Sequence, residues 1–497
     1  MPPRRYKILF VSSEVMPFVK TGGLADVSSA LPQYLSDMGH EVRIVLPKYG
    51  AIDQRKFKIH EVVRLKDIQI KIGDKDVVFS LKSCFLPGPK VRVQIYFLEN
   101  QEYFGSRNSL YVDSKTEKDY PDNDERFILL ARSVPELITR LGWIPDIIHC
   151  NDWQCGLIPA YLKTIYKDSE NFDQFKTLFT IHNIQYQGEF PKAMFKKTGL
   201  PEELNSERGI EMNGKINFMK SGLKFADVIN TVSETYANEI CTDEKLGSGL
   251  KSVLAKRKND LFGIVNGIDM HVWNPEKDKH IIKKYSLKDI ELKAENKIEL
   301  ANKFGFDYDP QIPIVGVISR LYNSKGMDLI TDSFKEIMSM KLQLILLGTG
   351  DRKYHNFFEK MSEKYKQKFA CYLGFNDELA HFIEAGADIF LMPSLVEPCG
   401  LNQMYSLVYG TIPIVRETGG LADTVIRYDE KTEEGNGFVF KKYDTDSMLK
   451  ELKRALKLFE DKKKWTKIMR NGMKIDFSWN ASAKKYVDLY KTILDNN

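Results

Sequence analysis

Cysteine is scarce in this chain. Six occur among 497 residues (Cys84, Cys150, Cys155, Cys241, Cys371 and Cys399), and no two form a CxxC pair. None stands at a zinc-like spacing from the eight histidines. That excludes a disulfide-stapled scaffold and a zinc-ribbon type of site, and unpaired thiols suit a reducing compartment. Long apolar runs are missing too: nothing approaches the roughly 20 residues that span a bilayer. Nor does charge of one sign dominate, since 73 Lys and Arg face 68 Asp and Glu. A net of +5 is too dilute over this length for a nucleic-acid or membrane footprint, so neither partner is expected. With 43% apolar and 28% charged residues the composition is that of a globular protein, not a disordered or collagen-like one. Strand-like sequence from Tyr6 leaves no room for a signal or transit peptide, and the expectation is a cytoplasmic protein.

A single core rarely grows beyond about 250–300 residues, so two large domains are expected. Short apolar, β-rich runs alternate with longer amphipathic stretches, which points to α/β architecture with parallel sheets. The first runs are 6–12 (YKILFVS) and 41–47 (EVRIVLP). Between them residues 25–38 have helical spacing, with Gly39 as a stop and Pro32 expected to kink or delay the helix. Runs 146–150, 176–181 and 228–232 follow. A second series opens after the lysine-rich stretch 275–297, with strand candidates at 312–319, 342–347, 369–374, 388–392 and 411–415. Two such series predict two doubly wound domains, whose ligands bind beyond the carboxyl ends of the strands. The string TGGLAD occurs at 21–26 and again at 418–423, each time beside a helical pattern. Paired glycines there let backbone N–H groups approach an anion; the plainer alternative is a tight turn with a cap.

Several strand-end residues have chemistry to offer. Lys20 precedes Thr21, Gly22 and Gly23 after the first run, which suits a phosphate or sugar pyrophosphate without being a Walker A loop. Arg320 and Lys325, in SRLYNSKG, are two cations able to neutralise a diphosphate, or else two solvated surface charges. Gly348 and Gly350 begin a dinucleotide-like string, but Lys353 stands where the third glycine belongs. His182 directly follows the run KTLFTI and leads Asn183, Gln185, Tyr186, Gln187 and Gly188, a polar cluster of the kind that contacts sugars. Asp152 and Trp153 close the run at 146–150; the indole either stacks on a sugar face or packs in a core. Glu397 precedes Pro398, Cys399, Gly400 and Leu401, where it either complements a helix dipole or holds hydroxyls while backbone N–H groups hold phosphate. Four DxD triplets lie in polar, turn-like sequence, and no metal is assigned to them. The basic stretch 449–467 reads as a solvated helix face rather than a partner surface. No Ser-His-Asp set and no pair of carboxylates at adjacent strand ends is evident.

Taken together, KTGGLADV, HNIQYQG, SRLYNSKG and EPCGLNQMYSLVYGTIPIVRETGGLADTV resemble the bacterial glycogen synthase and plant starch synthase family, in the same order and from about Tyr6 to the C-terminal helix. The resemblance implies a GT-B fold, α/β, with two Rossmann-like doubly wound domains facing a central cleft. It implies a glucan-binding domain at 1–265, a nucleotide-sugar domain at 266–476, and a helix at 477–497 returning to the first domain. The implied activity is transfer of glucose from ADP-glucose to the non-reducing end of an α-1,4-glucan (a glycogen or starch primer) with retention. ADP-glucose would serve as co-substrate in a bacterial cytoplasm, without metal or other cofactor. On the same resemblance Lys20, Gly22 and Gly23 contact the donor, and Arg320 with Lys325 grips its diphosphate. Glu397 meets donor hydroxyls, while Cys399, Gly400, Leu401, Thr418, Gly419 and Gly420 bring backbone to it. His182 sits at the anomeric carbon with Asp152 beside it. Tyr111, Trp153, Asn183, Tyr186 and Gln187 line the sugar side, and Phe375 stacks on the base where relatives often carry Tyr. Other departures are Ser324 for Gln, Leu395 and Val396 for Arg-Phe, and Gln154 for His. Tyr405 occupies the place of a second glutamate found in many other retaining GT-B enzymes. Two further readings are a GT-B transferase using UDP-glucose or another nucleotide sugar, and a catalytically weak glucan-binding protein.

Overall fold

Parallel strands covered on both faces appear in sequence as near-continuous apolar runs. KILFV is of this kind: all of it except Lys7 is buried, and it forms the first strand, β1 (Lys7–Val11). The computed structural model describes residues 4–88, 93–170 and 172–495, and contacts divide the chain into two units. Unit 1 gathers Met1–Val232, Ala237–Ile264 and Trp479–Asn497; unit 2 gathers Ser233–Tyr236 and Val265–Ser478.

Unit 1 is built on a ten-stranded sheet. After β1 come β2 (Glu41–Pro47), β3 (His60–Glu61), β4 (Ile68–Ile72), β5 (Lys75–Phe85), β6 (Gln94–Glu99), β7 (Ile147–Asn151) and β8 (Lys176–Ile181). β9 (Glu189–Pro191), β10 (Glu211–Met212) and β11 (Lys215–Asn217) form a small separate sheet, and β12 (Val228–Thr231) and β13 (Leu261–Gly263) rejoin the large one. The order is β13-β12-β8-β7-β1-β2-β6-β5-β3, with β4 on β5. Pairings from β13 to β6 are parallel, and β5 runs antiparallel to β6. The sequence reading places no strands over residues 60–99. β4 and β5 alternate buried with exposed positions, as antiparallel strands with one wet face do, so no continuous apolar run marks them. The helix Gly23–Asp37 starts two residues earlier than expected and runs on past Pro32, which does not divide it. The missing N–H removes only the bond to the Ser28 carbonyl, and the buried face of Leu24, Val27, Leu31 and Leu35 holds the turns on either side.

Unit 2 carries a six-stranded sheet of β14 (Ile314–Ile318), β15 (Gln343–Gly348), β16 (Phe369–Leu373), β17 (Ile389–Met392), β18 (Ile412–Arg416) and β19 (Phe438–Phe440). Its order is β16-β15-β14-β17-β18-β19, parallel throughout. Successive side chains leave a strand on opposite faces. Val315, Leu344, Leu346 and Leu391 accordingly pack with Leu449 and Leu452 on one face, while Ile314, Ile345 and Leu347 pack with Leu300 and Ile383 on the other. The basic stretch 449–467 resolves into two helices, Thr445–Phe459 and Lys462–Met473. Asp461 caps the second by accepting from the N–H groups of Lys463 and Lys464. The apolar side of the pair is buried, in keeping with a solvated lysine face. The last helix, Trp479–Asp495, clusters with unit 1. Among the described residues no helix is long and apolar enough to cross a membrane.

Both sheets have a switch point where the chain, having left a central strand to one side, returns to the other. In unit 1 it lies between β1 and β7; in unit 2, between β14 and β17. Loops diverge there and open a crevice beyond the carboxyl ends.

Candidate active site

At the unit 1 switch point the loop after β1 is organised by Glu14, only 3% exposed. Its Oε2 accepts the N–H of Thr21 at 2.6 Å and that of Gly22 at 3.3 Å. Its Oε1 accepts the Thr21 hydroxyl at 2.6 Å and the Tyr111 hydroxyl at 2.7 Å. Tyr111 also meets Ser13 Oγ at 2.8 Å, and burial, reinforced by the Glu14 charge, pushes its phenol well above the ordinary range. One carboxylate thus ties together the strand end, Tyr111 and the glycine turn. Glu14 is not among the residues singled out from sequence; an acid two residues after the first apolar run is the signal that could have found it. Lys20 makes an exposed ion pair with Asp26, 2.8 Å long. A Cβ built on Gly22 or Gly23 would meet no atom within 4 Å, so the start of the helix Gly23–Asp37 is open.

Across from it, one residue past β7, Asp152 has φ 56 and ψ −178, a conformation few side chains adopt. Its Oδ1 accepts the His182 backbone N–H at 2.7 Å. Burial pushes the Asp152 carboxyl up to about 7, aided by the Glu14 charge and opposed by the N–H groups of His182 and Asn183. His182 follows β8, with Nε2 3.0 Å from Asn151 Oδ1, and burial holds its imidazole down at about 3. The ring is therefore neutral at pH 7.

The structure corrects one expectation here. Glu14 and Asp152 lie beyond the ends of two paired strands, so carboxylates at adjacent strand ends do exist. Each is already engaged by backbone or hydroxyl donors. The signal was hidden because one follows its strand by three residues and the other by one.

In unit 2, Arg320 stands exposed two residues beyond β14, and Lys325 lies in the turn before the helix Met327–Asp332. Lys325 Nζ is 2.6 Å from Glu397 Oε2, both side chains being largely buried. Glu397 also accepts from Ser394 Oγ at 3.0 Å. Burial pushes the Cys399 thiol up to about 12, which keeps it protonated at neutral pH. Asn402 fastens the turn to β14 by donating to the Ile318 carbonyl at 2.8 Å, and Arg416 donates to the carbonyls of Ser394 and Leu395. Neither was singled out from sequence.

The second TGGLAD differs in use from the first. Gly419 and Gly420 lie against the 397–399 backbone, where a Cβ on either would come within 2.0 Å of the Glu397 or Cys399 carbonyl oxygen. The Gly420 N–H donates to the carbonyls of Glu397 and Pro398. Thr418 is buried just before them. This pair fastens one turn to another; the first leaves an open helix start.

The remaining sequence candidates fall into two groups. Phe375 is 86% exposed and Tyr186 59% exposed, both with faces free for a ligand. Gln187 is buried, with its amide donating to the carbonyls of Ile184 and Ser248 and accepting from Asn217, so it braces its loop. Asn183 accepts from the Gln185 N–H and shapes the same loop. Trp153 packs among Phe127, Phe190, Phe218 and Tyr111, which is the core alternative for that indole. Gly400 and Leu401 lead into the helix Asn402–Val408.

Comparison with known proteins gives a consistent result. The family described as starch synthase catalytic domain matches residues 7–256, and glycosyl transferases group 1 matches residues 300–472. A glycogen synthase of Desulforudis audaxviator is 43% identical over 99% of this chain and 97% of its own. One of Thermotoga maritima is 45% identical over 98% of this chain and 99% of its own. Among solved structures, the catalytic domain of starch synthase IV from Arabidopsis thaliana, bound to ADP and acarbose, superposes with a TM-score of 0.87 at 31% identity, covering 99% of this chain and all of that one. Sucrose-phosphate synthase from Thermosynechococcus elongatus shares the fold, with a TM-score of 0.60 at 17% identity.

Proposed function

The chain belongs to the glycogen and starch synthase family, with two Rossmann-like units of the GT-B type, and from that membership we propose that it transfers glucose from ADP-glucose to the non-reducing-end 4-hydroxyl of an α-1,4-glucan with retention of configuration. It is a glycosyltransferase taking a nucleotide-sugar donor and a glucan acceptor. The observation that carries the donor side is the Lys325–Glu397 pair, closed at 2.6 Å in a largely buried turn with Arg320 exposed nearby. A diphosphate arriving there meets a fixed ammonium and an exposed guanidinium. Glu397, held also by Ser394, presents its carboxylate to sugar hydroxyls.

As the glycosidic bond of the donor breaks, positive charge grows on the anomeric carbon and negative charge on the departing diphosphate. Preorganised cations stabilise the latter without reorganising at the moment of reaction. Arg320 and Lys325 have that role. Lys20 and the open helix start at Gly23 offer a further anion site. Phe375 gives the base an aromatic face. On the sugar side His182 contributes a neutral ring, Asp152 holds the His182 backbone in place, and Tyr111 with the exposed Tyr186 borders the site.

Retention by double displacement calls for a free carboxylate nucleophile. Glu14 accepts four hydrogen bonds, Asp152 is engaged by backbone N–H groups, and Glu397 is paired with Lys325. These commitments favour a front-face route, in which the leaving phosphate takes the proton of the incoming 4-hydroxyl as that oxygen bonds to the anomeric carbon. A glucosyl adduct on any of the three carboxylates, found by mass spectrometry, would sink this route.

The deciding experiment is incorporation of labelled glucose into glycogen by the purified protein, with ADP-glucose and UDP-glucose in parallel and no added metal. Incorporation from ADP-glucose that amylase releases as α-1,4-linked sugar is the expected result. Incorporation from UDP-glucose alone would keep the chemistry and overturn the base assignment at Phe375. Glucan binding without transfer from either donor would favour a binding protein.

A further inference from the structure

Three parallel strands of unit 1 end side by side, β1, β7 and β8, and Asn151 is the last residue of the middle one. It is wholly buried, and each polar atom of its side chain has a partner. Nδ2 donates to the Val11 carbonyl of β1 at 3.0 Å and to the His149 carbonyl at 3.3 Å. Turning the amide over would set its oxygen against those two carbonyl oxygens, so this orientation is fixed. Oδ1 is left facing His182 Nε2 at 3.0 Å. An amide oxygen can only accept, so Nε2 must carry the hydrogen. In a neutral ring the other nitrogen is then a bare lone pair. Among the described residues no group hydrogen-bonds His182 Nδ1. The backbone of the residue is anchored separately, through its N–H to Asp152.

We propose that Asn151 is a positioning residue that locks His182 as the Nε2–H tautomer, so that the imidazole offers substrate an acceptor, Nδ1, and no proton. A carboxylate at position 151 would instead favour the imidazolium; a neutral amide orients the ring without charging it. Given the proposed function, the group that donates to Nδ1 is a sugar hydroxyl, and protonation of the leaving oxygen by His182 is excluded. The inference rests on that reading only for the identity of the donor, because the tautomer is a property of the free protein.

The test is long-range proton–nitrogen correlation on protein labelled with 15N-histidine at pH 7, with the His182 signals assigned by their loss in His182→Gln. The expected pattern is one protonated nitrogen, Nε2, and one bare nitrogen, Nδ1. A protonated Nδ1, alone or together with Nε2, overturns the proposal, and the unmodified protein suffices to see it. In Asn151→Ala the Nδ1–H form should become substantially populated and kcat fall about tenfold or more, with donor KM within about twofold. A tautomer unchanged in that variant would remove Asn151 from the role. Should the Nε2–H tautomer be found in a protein that transfers no glucose, the assignment stands and the functional reading fails. Glucose transfer by a protein with Nδ1–H would be the converse.

Discussion

Burial moves the acid and the bases of the unit 1 site in opposite directions, and the consequences can be read in pH. The Asp152 carboxyl is raised to about 7 from an ordinary value near 3.9. Between those limits the folded chain holds a proton that the unfolded chain has released, so this group's contribution to stability falls as pH rises. The histidines act oppositely: His149 and His182 are held at about 3, and the stability that goes with their neutrality is present above about 6.5 and lost as pH falls towards 3. Asp152→Asn removes only the first slope. The melting temperature of the variant relative to wild type should therefore climb between pH 5 and pH 8; a difference constant with pH would refute the raised carboxyl. Glu14 calls for a kinetic test. Glu14→Gln keeps one acceptor but loses the charge that holds Thr21, Gly22 and Tyr111. Losing hydrogen bonds to a charged group costs about 1.5–3 kcal/mol, or about 10–100-fold, expected as a fall in kcat/KM for the donor. Unchanged kinetics would leave Glu14 a purely structural acid.

At the scale of elements, one six-residue string has two different uses. The first TGGLAD starts a helix over open space; the second wedges its glycines against the 397–399 backbone. Gly420→Ala would place a Cβ 2.0 Å from the Cys399 carbonyl oxygen, forcing the turn that carries Glu397 to move. The expected outcome is a loss of about 1–3 kcal/mol in stability, as for an overpacked core, together with loss of activity. Gly23→Ala, with nothing within 4 Å of the new Cβ, should leave the melting temperature nearly unchanged. Equal destabilisation by the two substitutions would contradict this division. Sequence could not foresee the difference, because it depends on what lies opposite each string, and only the fold brings residues 397 and 420 together. Most parallel strands were legible because full burial writes itself as unbroken apolar runs, as in KILFV and QLILLG, but the parallel strands β6, β13 and β19 were not placed. β4 and β5 were not, since their alternation is diluted by polar residues facing out. Arg320, Lys325 and Glu397 were legible as candidates because strand ends are where such sheets hold ligands. Asn151 and Asn402 escaped because their work is done on backbone carbonyls of neighbouring strands, a relation without sequence spacing.

At the scale of the whole chain, a hydrogen bond between residues 341 apart in sequence, His149 and Tyr490, is fully buried. The helix Trp479–Asp495 belongs to unit 1, and its two tyrosines close a polar chain beneath the site. The direction of each bond follows by elimination. Thr180 gives its hydroxyl proton to Asn230 Oδ1, so Thr180 Oγ1 must accept from His149 Nε2 at 2.6 Å. His149 Nδ1 is then bare and accepts the Tyr490 hydroxyl at 2.8 Å, while Asn230 Nδ2 donates to the Tyr486 oxygen at 3.3 Å. Tyr490→Phe would leave a buried imidazole nitrogen without a donor, at a cost of about 1–3 kcal/mol. Because local opening is confined to cooperative units, that cost should fall on β7 and β8, which carry His149 and Thr180, and leave β14 and β17 in unit 2 untouched. Hydrogen exchange followed by mass spectrometry reads both at once. Peptides covering 147–151 and 176–181 should exchange roughly five- to a hundredfold faster in the variant, and those covering 314–318 and 389–392 at the wild-type rate. Acceleration spread equally over both sets would mean that the two units open together, and that the C-terminal helix stabilises the entire chain rather than the sheet it lies on.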